Sequence, residues 1–296
     1  MIAIIINPLS GGARPGAAEH RAAIAGAVAE RCGEEADVLI SQRVGHARQL
    51  ARDAAARGAR LVLAWGGDGT INEVASALAF DKPTALGIVP AGSGNGLATE
   101  LGISRDPEVA IASAVRATPR PLDVGTLDDH LFVNVAGIGI DAYVAAQFND
   151  PANLRRGLLA YARITGRALV TYAPADYRIT ADDAVGGKRA ARAVLVTIAN
   201  GAQYGNNARI APQARFDDGL LDLVVVEERS RLRTLTQVPR LFNGTADRVP
   251  GCTITRIRRA VIECERPMTC HVDGEPLLRG TRVVVQVHPA AIRIAI

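Results

Sequence analysis

Aromatic residues are scarce: Phe, Trp and Tyr make up 4% of the 296 residues. Recognition of nucleic acid by base stacking needs repeated aromatic platforms, so that function class is disfavoured. No recognition motif or long basic run compensates. Lysine is scarcer still. Lys82 and Lys188 are the only two among 34 basic residues, and neither stands in a G-x-x-x-x-G-K-[ST] phosphate loop. The four cysteines, Cys32, Cys252, Cys264 and Cys270, form no C-x-x-C pair and no zinc-finger spacing. They read as reduced, partly buried thiols of a cytoplasmic protein. No apolar run reaches the length of a membrane-spanning helix. The opening MIAIIINP lacks the basic start of a signal peptide. A cytoplasmic protein is expected, with any membrane contact peripheral to the inner face.

What remains is an ordinary globular composition, 48% hydrophobic and 22% charged, long enough for two domains. The net charge of +4 suits a nucleotide, an anionic membrane surface or no particular partner. Residues 1–122 alternate short apolar runs with Ala-rich helical ones. Strands are expected at 2–7, 38–41, 61–65 and 85–90, and helices at 17–31, 45–57, 71–79, 95–101 and 107–117. Nearly all-apolar strands alternating with helices indicate a parallel sheet covered on both faces. Residues 123–296 are strand-rich, and alternation as in ITRIRRAVI (254–262) favours an antiparallel sandwich. Helical stretches are expected at 153–172 and 231–242. The first carries Leu154, Leu158, Leu159, Ile164 and Leu169 with Arg155, Arg156, Arg163 and Arg167 among them. Such a stripe either packs on the protein's own core or meets an anionic surface.

Three predicted strands end in small-residue loops on one edge of the sheet: NPLSGG (7–12), GGDGT (66–70) and PAGSGN (90–95). Ligands of open parallel sheets bind outside the carboxyl ends of the strands. Glycine lets the backbone approach phosphate oxygens, and free N–H groups at the following helix favour negative charge. Ser10, Thr70 and Ser93 add hydroxyl donors. No G-x-G-x-x-G follows the first strand, which disfavours a dinucleotide oxidoreductase. Asp68 is out of place beside bound phosphate unless Mg²⁺ intervenes or the carboxylate accepts a proton from an attacking hydroxyl. Capping of the next helix, or bonding to loop amides, is its structural alternative.

GGDGTINEV (66–74) and PAGSGNGLA (90–98) resemble the diacylglycerol kinase catalytic-domain family, which also holds sphingosine kinases and bacterial lipid kinases. The likeness extends through AGIGIDA (136–142), ANGAQYGNNARIAPQARFDDGLLD (199–222) and VDGEP (272–276). It implies an α/β nucleotide domain (1–122, NAD kinase- and phosphofructokinase-like), a β-sandwich lipid-binding domain (123–296) and an active site in the interdomain cleft. ATP contacts are implied for Asn7, Ser10, Gly11, Ser41, Gly66, Gly67, Asp68, Gly69, Thr70, Asn72, Glu73 and Ser93. The resemblance places the general base in the VDGEP turn; Glu275 is the first candidate, with Asp273 close behind as a metal-linked or basic partner. It implies a structural Mg²⁺ on the Asp218 carboxylate, assisted by the carbonyls of Arg215 and Leu220, oxygen donors that suit this ion. Asp141 matches a position that faces the lipid head group in sphingosine kinases. Many bacterial members carry G-T-x-N-D in the third loop. Here Gly92-Ser-Gly-Asn-Gly96 is closer to the sphingosine kinase form, and Gly96 replaces the acid.

The implied function is an ATP- and Mg²⁺-dependent lipid kinase acting on a hydroxyl of diacylglycerol or a sphingoid-type lipid at the membrane surface. A soluble-substrate kinase of the NAD kinase type and a non-catalytic nucleotide-responsive regulator are the alternatives.

Overall fold

The computed structural model describes every residue except 13–14, 81–82, 93, 151–157, 183–186, 206–207, 230–236, 238–239 and 241–243. Its contacts form two compact units, Met1–Asp123 with Ala290–Ile296, and Val124–Pro289.

The first unit runs β1 (Ile2–Ile6), α1 (Ala17–Arg31), β2 (Ala36–Ile40), α2 (His46–Ala56), β3 (Leu61–Gly66), α3 (Asp68–Leu78), β4 (Ala85–Pro90), α4 (Gly96–Glu100) and α5 (Pro107–Arg116). β1 pairs in parallel with β2 and β3, and β3 with β4, in the order β4-β3-β1-β2. Every residue of β1, β3 and β4 is buried, because helices cover both faces. Ile2, Ile4, Ile6, Leu61, Leu63 and Trp65 pack with residues of α1 and α5. α2 and α3 pack together and against β1 and β3.

In the second unit the order is β5 (Arg120–Leu127), β6 (His130–Phe132), β7 (Val135–Gly139), α6 (Ile140–Asn149), α7 (Leu158–Thr171), β8 (Ala175–Ala181), β9 (Lys188–Ala199), β10 (Gln203–Gly205), β11 (Ala208–Arg209), β12 (Leu221–Glu227), β13 (Cys252–Ile257), β14 (Arg259–Cys264), β15 (Thr269–Val272), β16 (Glu275–Leu278) and β17 (Arg282–Ile294). β5 begins, and β17 ends, inside the first unit. Neighbours run β16-β15-β7-β9-β8-β14-β17, all antiparallel. The long β9 pairs with β8 over its first half, and its second half lies between β7 and β12. One core, including Phe132, Ile138, Ile198, Leu223, Ile262 and Val285, is shared by these strands. In it the Cys270 thiol is pushed up to about 12 by burial and stays protonated at neutral pH. The expected classes, a parallel α/β unit and an antiparallel β-rich unit, are those observed.

Several boundaries differ from expectation. The helix read as 71–79 starts at Asp68, because glycine at 66 and 67 lets the helix begin tightly. A Cβ on Gly66 would lie 2.4 Å from the Thr70 Cβ. LFVNVAGIGI is not one strand. It holds the end of β6, all of β7 and the first residue of α6, and the break into the helix falls at Gly139, whose φ of 111° no L side chain favours. The alternating 254–262 run is split at Arg258 into β13 and β14. The Asp182 carboxylate takes the N–H groups of both Arg258 and Arg259 at this corner (2.9 and 2.8 Å). The helix expected at 231–242 lies largely outside the described residues. Of the 153–172 helix, α7 is described. It buries Ala168 but leaves Leu159 and Val170 exposed, with exposed Arg163 and Arg167.

Candidate active site

The three glycine loops follow β1, β3 and β4, three adjacent parallel strands, so sequence-distant segments meet at one sheet edge. Their fit depends on missing side chains. A Cβ on Gly67 would stand 3.2 Å from the Gly92 Cα, and one on Gly11 only 2.7 Å from the Ala91 carbonyl oxygen. Hydrogen bonds then lock the loops together. The Ser10 hydroxyl accepts from the Gly67 amide (3.2 Å), Asn7 Nδ2 donates to the Thr70 hydroxyl (2.9 Å), and the Ala91 amide donates to the Gly66 carbonyl (2.8 Å).

Asp68 is the central tie. Its two carboxylate oxygens accept the backbone N–H groups of Asn95 (2.9 Å) and Gly96 (3.0 Å). Asn95 in turn closes the third loop through both its amide atoms on Gly92. A Cβ on Gly94 would come within 2.9 Å of the Asp68 carboxylate. An acid suits this place because each of its two oxygens accepts one amide of the third loop, which joins the two loops. This is the amide-bonding alternative stated above, so the direct proton-accepting role of Asp68 loses its argument from an unexplained charge.

Other expected nucleotide contacts divide. Asn7, Ser10, Gly11, Gly66, Gly67, Gly69 and Thr70 lie in or directly beside the joined loops. Ser41 follows β2, is buried, and its hydroxyl donates to the Ile6 carbonyl (3.3 Å). Asn72 is buried within α3 and accepts from the Ser76 hydroxyl (3.3 Å). Glu73 has a structural occupation: its carboxylate accepts from the amides of Gly45 (2.8 Å) and Arg48 (3.3 Å), capping α2. Replacing Glu73 by alanine should cost about 1 kcal/mol, a typical value for a lost cap, read as a lower thermal midpoint. An unchanged melt would return this carboxylate to ligand binding. Ser93 lies outside the described residues.

Arg21, on α1, was not singled out by the sequence. Its guanidinium donates to the carbonyls of Asn7 and Ser10 (2.7 Å each) and stands 5.8 Å from the centre of the Trp65 ring. It holds the first loop in shape. An arginine in an Ala-rich helix gives no signal for this, because its partners are backbone atoms.

The VDGEP acids of the second unit separate sharply. Asp273 is 9% exposed, and its carboxylate accepts the amides of Val133 (2.8 Å), Asn134 (2.9 Å) and Val135 (3.0 Å). Its own amide donates to the Val135 carbonyl (2.8 Å). It ties the turn to the start of β7, and a carboxylate so occupied is a poor partner base. Asp273 has φ 46° and Gly274 φ 87°, so the chain reverses tightly and Glu275 emerges exposed at the start of β16. Asp141 is likewise turned inward. Its Oδ2 meets Tyr204 Oη (2.9 Å), Thr197 Oγ1 (3.2 Å) and His271 Nε2 (3.2 Å), while Oδ1 takes the Ala142 amide (2.7 Å). With its side chain 11% exposed, it has little to offer an incoming head group.

Around the expected metal segment, Asp218 Oδ1 accepts from the Leu220 amide (3.1 Å), and Arg215 pairs with Asp217 (3.2 Å). Asp222, buried on β12, is pushed up to about 6 by burial. Within that net value Arg256 opposes the rise and the nearby Asp218 charge adds to it. Among the described residues no three His, Cys, Asp or Glu side chains converge on one point. A metal here would therefore need backbone carbonyls and water, oxygen donors that suit Mg²⁺. The Asp218 and Asp222 carboxylates supply the negative charge and oxygen donors that a divalent cation needs. Elsewhere in this unit, a cavity of about 180 Å³ is lined by Tyr143, Tyr172, Tyr177, Cys264, Arg266 and Met268 among others.

Residues 1–127 match the diacylglycerol kinase catalytic domain, and residues 134–296 match the YegS C-terminal NAD kinase beta sandwich-like domain. The chain belongs to the diacylglycerol kinase family. A family member named probable lipid kinase YegS-like, from Chromohalobacter salexigens, is 34% identical over 249 residues, covering 82% of this chain and 78% of that protein. The diacylglycerol kinase of Bacillus subtilis is 30% identical over 279 residues, covering 92% and 88%. Among solved structures, a putative diacylglycerol kinase from Bacillus anthracis superposes with a TM-score of 0.83 at 21% identity, covering 99% and 94%. An NAD kinase from Archaeoglobus fulgidus, in complex with ATP, gives 0.53 at 12% identity, covering 100% and 94%. These two show the fold, which is that of the diacylglycerol and NAD kinases. No helix among the described residues is long and apolar enough to cross a membrane.

Proposed function

We propose that the protein is an ATP-dependent lipid kinase that phosphorylates a hydroxyl of a membrane-derived lipid, with diacylglycerol as the first acceptor to test. The carrying observation is the triple-loop assembly, joined by Asp68, in a chain of the diacylglycerol kinase family. Relatives named diacylglycerol kinase and lipid kinase support the acceptor class. The ATP-bound NAD kinase of the same fold supports the donor.

Phosphoryl transfer requires mostly positioning and charge stabilisation. In this reading Asn7–Gly12, Gly66–Thr70 and Pro90–Asn95 hold the nucleotide through backbone amides and hydroxyls. The acceptor oxygen forms its bond to the γ-phosphorus as the bond to the β–γ bridging oxygen breaks and ADP leaves. Glu275 takes the hydroxyl proton, being the exposed carboxylate of its turn while Asp273 is buried. Asp218, with the carbonyls of Arg215 and Leu220, would hold a Mg²⁺, which when bound supplies the positive charge that the Asp218 and Asp222 carboxylates lack. The tyrosine-lined cavity is a candidate slot for part of the lipid. Peripheral access to a bilayer is supported by α7, which carries no acidic residue and exposes Leu159 and Val170 beside Arg163 and Arg167.

The test is a labelled-ATP assay over mixed micelles of diacylglycerol, monoacylglycerol, sphingosine, ceramide and phosphatidylglycerol. One lipid should be labelled. Glu275→Gln should lower kcat on it by about 10²–10⁴-fold, the usual worth of a general base, with the KM for ATP unchanged. Micelles that take no label, from protein that binds Mg·ATP, would move the acceptor to soluble alcohols.

A further inference from the structure

We infer that His271 is a positioning residue for Glu275, and that α6 holds the Glu275 turn from both of its ends. This rests on the catalytic role just proposed for Glu275.

Three strands define the geometry. Thr197 on β9, Gly137 on β7 and His271 on β15 are direct cross-strand neighbours. The middle position has no side chain. A Cβ on Gly137 would lie 1.9 Å from Asp141 Oδ2 and 2.5 Å from His271 Nε2. Into that gap the first turn of α6 lowers the Asp141 carboxylate, where Thr197, Tyr204 and His271 converge on one oxygen. His271 is 3% exposed. Facing a carboxylate acceptor, its Nε2 must carry the proton. Nδ1 is then a bare acceptor, and it accepts from the Gly274 amide (3.3 Å). The tautomer chosen by Asp141 at one end of α6 thus fixes the Asp273–Gly274 peptide, one link before Glu275. At the other end of the same helix, Asn149 Nδ2 donates to the Gly274 carbonyl (2.9 Å). Both polar atoms of one glycine are held by one helix, one directly and one through His271.

A buried histidine that merely filled space would tolerate any amide of similar size. A positioning histidine would not. In His271→Asn the side-chain oxygen can stand where Nδ1 stands, whereas in His271→Gln the amide reaches the Nε2 position and leaves Nδ1 vacant. Three measurements on the full chain decide. Nitrogen NMR of wild type should show Nε2 protonated and Nδ1 bare. Amide exchange at Gly274 should be slow in wild type and His271→Asn and faster in His271→Gln. With the lipid substrate, kcat should fall about tenfold or more in His271→Gln, as expected when a reacting group is displaced, stay near wild type in His271→Asn, and leave the KM for ATP unchanged in both. Asn149→Ala, a half-buried site that threatens folding less, should shift Gly274 exchange and kcat in the same direction as His271→Gln.

A protonated Nδ1, or equal Gly274 exchange in all variants, overturns the inference. Equal kcat losses in the asparagine and glutamine variants do so too, since that is the signature of packing alone. If wild type phosphorylates no lipid yet Gly274 exchange follows the predicted order, the clamp stands and the lipid kinase reading is what falls.

Discussion

Asp273→Ala should destabilise the second unit by more than about 4 kcal/mol, because it strands three buried amides at once and each costs about 1–3 kcal/mol. The amides are those of Val133, Asn134 and Val135, at the entry of β7, the strand that lies between β9 and β15. For a unit of this size the thermal midpoint should fall by about 10 °C or more. Asp273→Asn should be milder but still costly, since one of its two acceptor oxygens becomes a donor facing a donor. The contrast with Glu275→Gln is the informative part. Two acids two residues apart should give opposite phenotypes, one lost fold with little left to assay, one intact fold with little turnover. A stable, well-folded Asp273→Ala with lost activity would make Asp273 a catalytic group and refute its reading as a clamp.

Asp68→Asn should lower kcat/KM for ATP by about a hundredfold or more, on the order expected when catalytic groups shift by an ångström. The mutant amide cannot accept from both Asn95 and Gly96. The third loop would lose its tie to the second, and the amides of both would no longer aim at one place. Because the damage is to the cradle, the KM for ATP should rise along with the fall in kcat. A drop in kcat alone, with the KM for ATP unchanged, would instead make Asp68 the proton acceptor. A wild-type kcat/KM would leave the loop tie without consequence. Melting should be little altered, since these loops are at the sheet edge and the buried strands β1, β3 and β4 do not depend on them.

The parallel unit was legible because β1, β3 and β4 are buried on both faces. Burial on both sides imposes continuous apolar runs, and the runs end in the same small residues that make the loops. Convergence of the three loops follows from strand adjacency, which alternation of strands and helices also implies. The roles of individual acids were not legible. Asp273 and Glu275 share a turn and a charge, and only backbone geometry turns one inward and the other out. Asp141 and Glu73 reach partners far away in sequence, at His271 and Gly45, so no local pattern carries the information. The start of α6 was hidden because the apolar run of β7 continues unbroken into the helix. The β13–β14 corner was hidden because alternation persists across it, and the cause, Asp182, lies 76 residues away from Arg258.

The last residues of the chain belong to the first unit. Ile294 pairs in parallel with Leu86 on β4, the amide of Ala295 donates to the Leu86 carbonyl, and Phe80 donates to the Ala291 carbonyl. At the crossing the buried Asp123 takes the Ala290 amide (2.7 Å), and Ala290 itself sits at φ 51°. During synthesis, therefore, the glycine loops emerge from the ribosome early, but their sheet lacks its outermost strand until the whole second unit has been made. A ribosome stalled after residue 289 would display every residue of the phosphate cradle on a sheet with an open edge at β4.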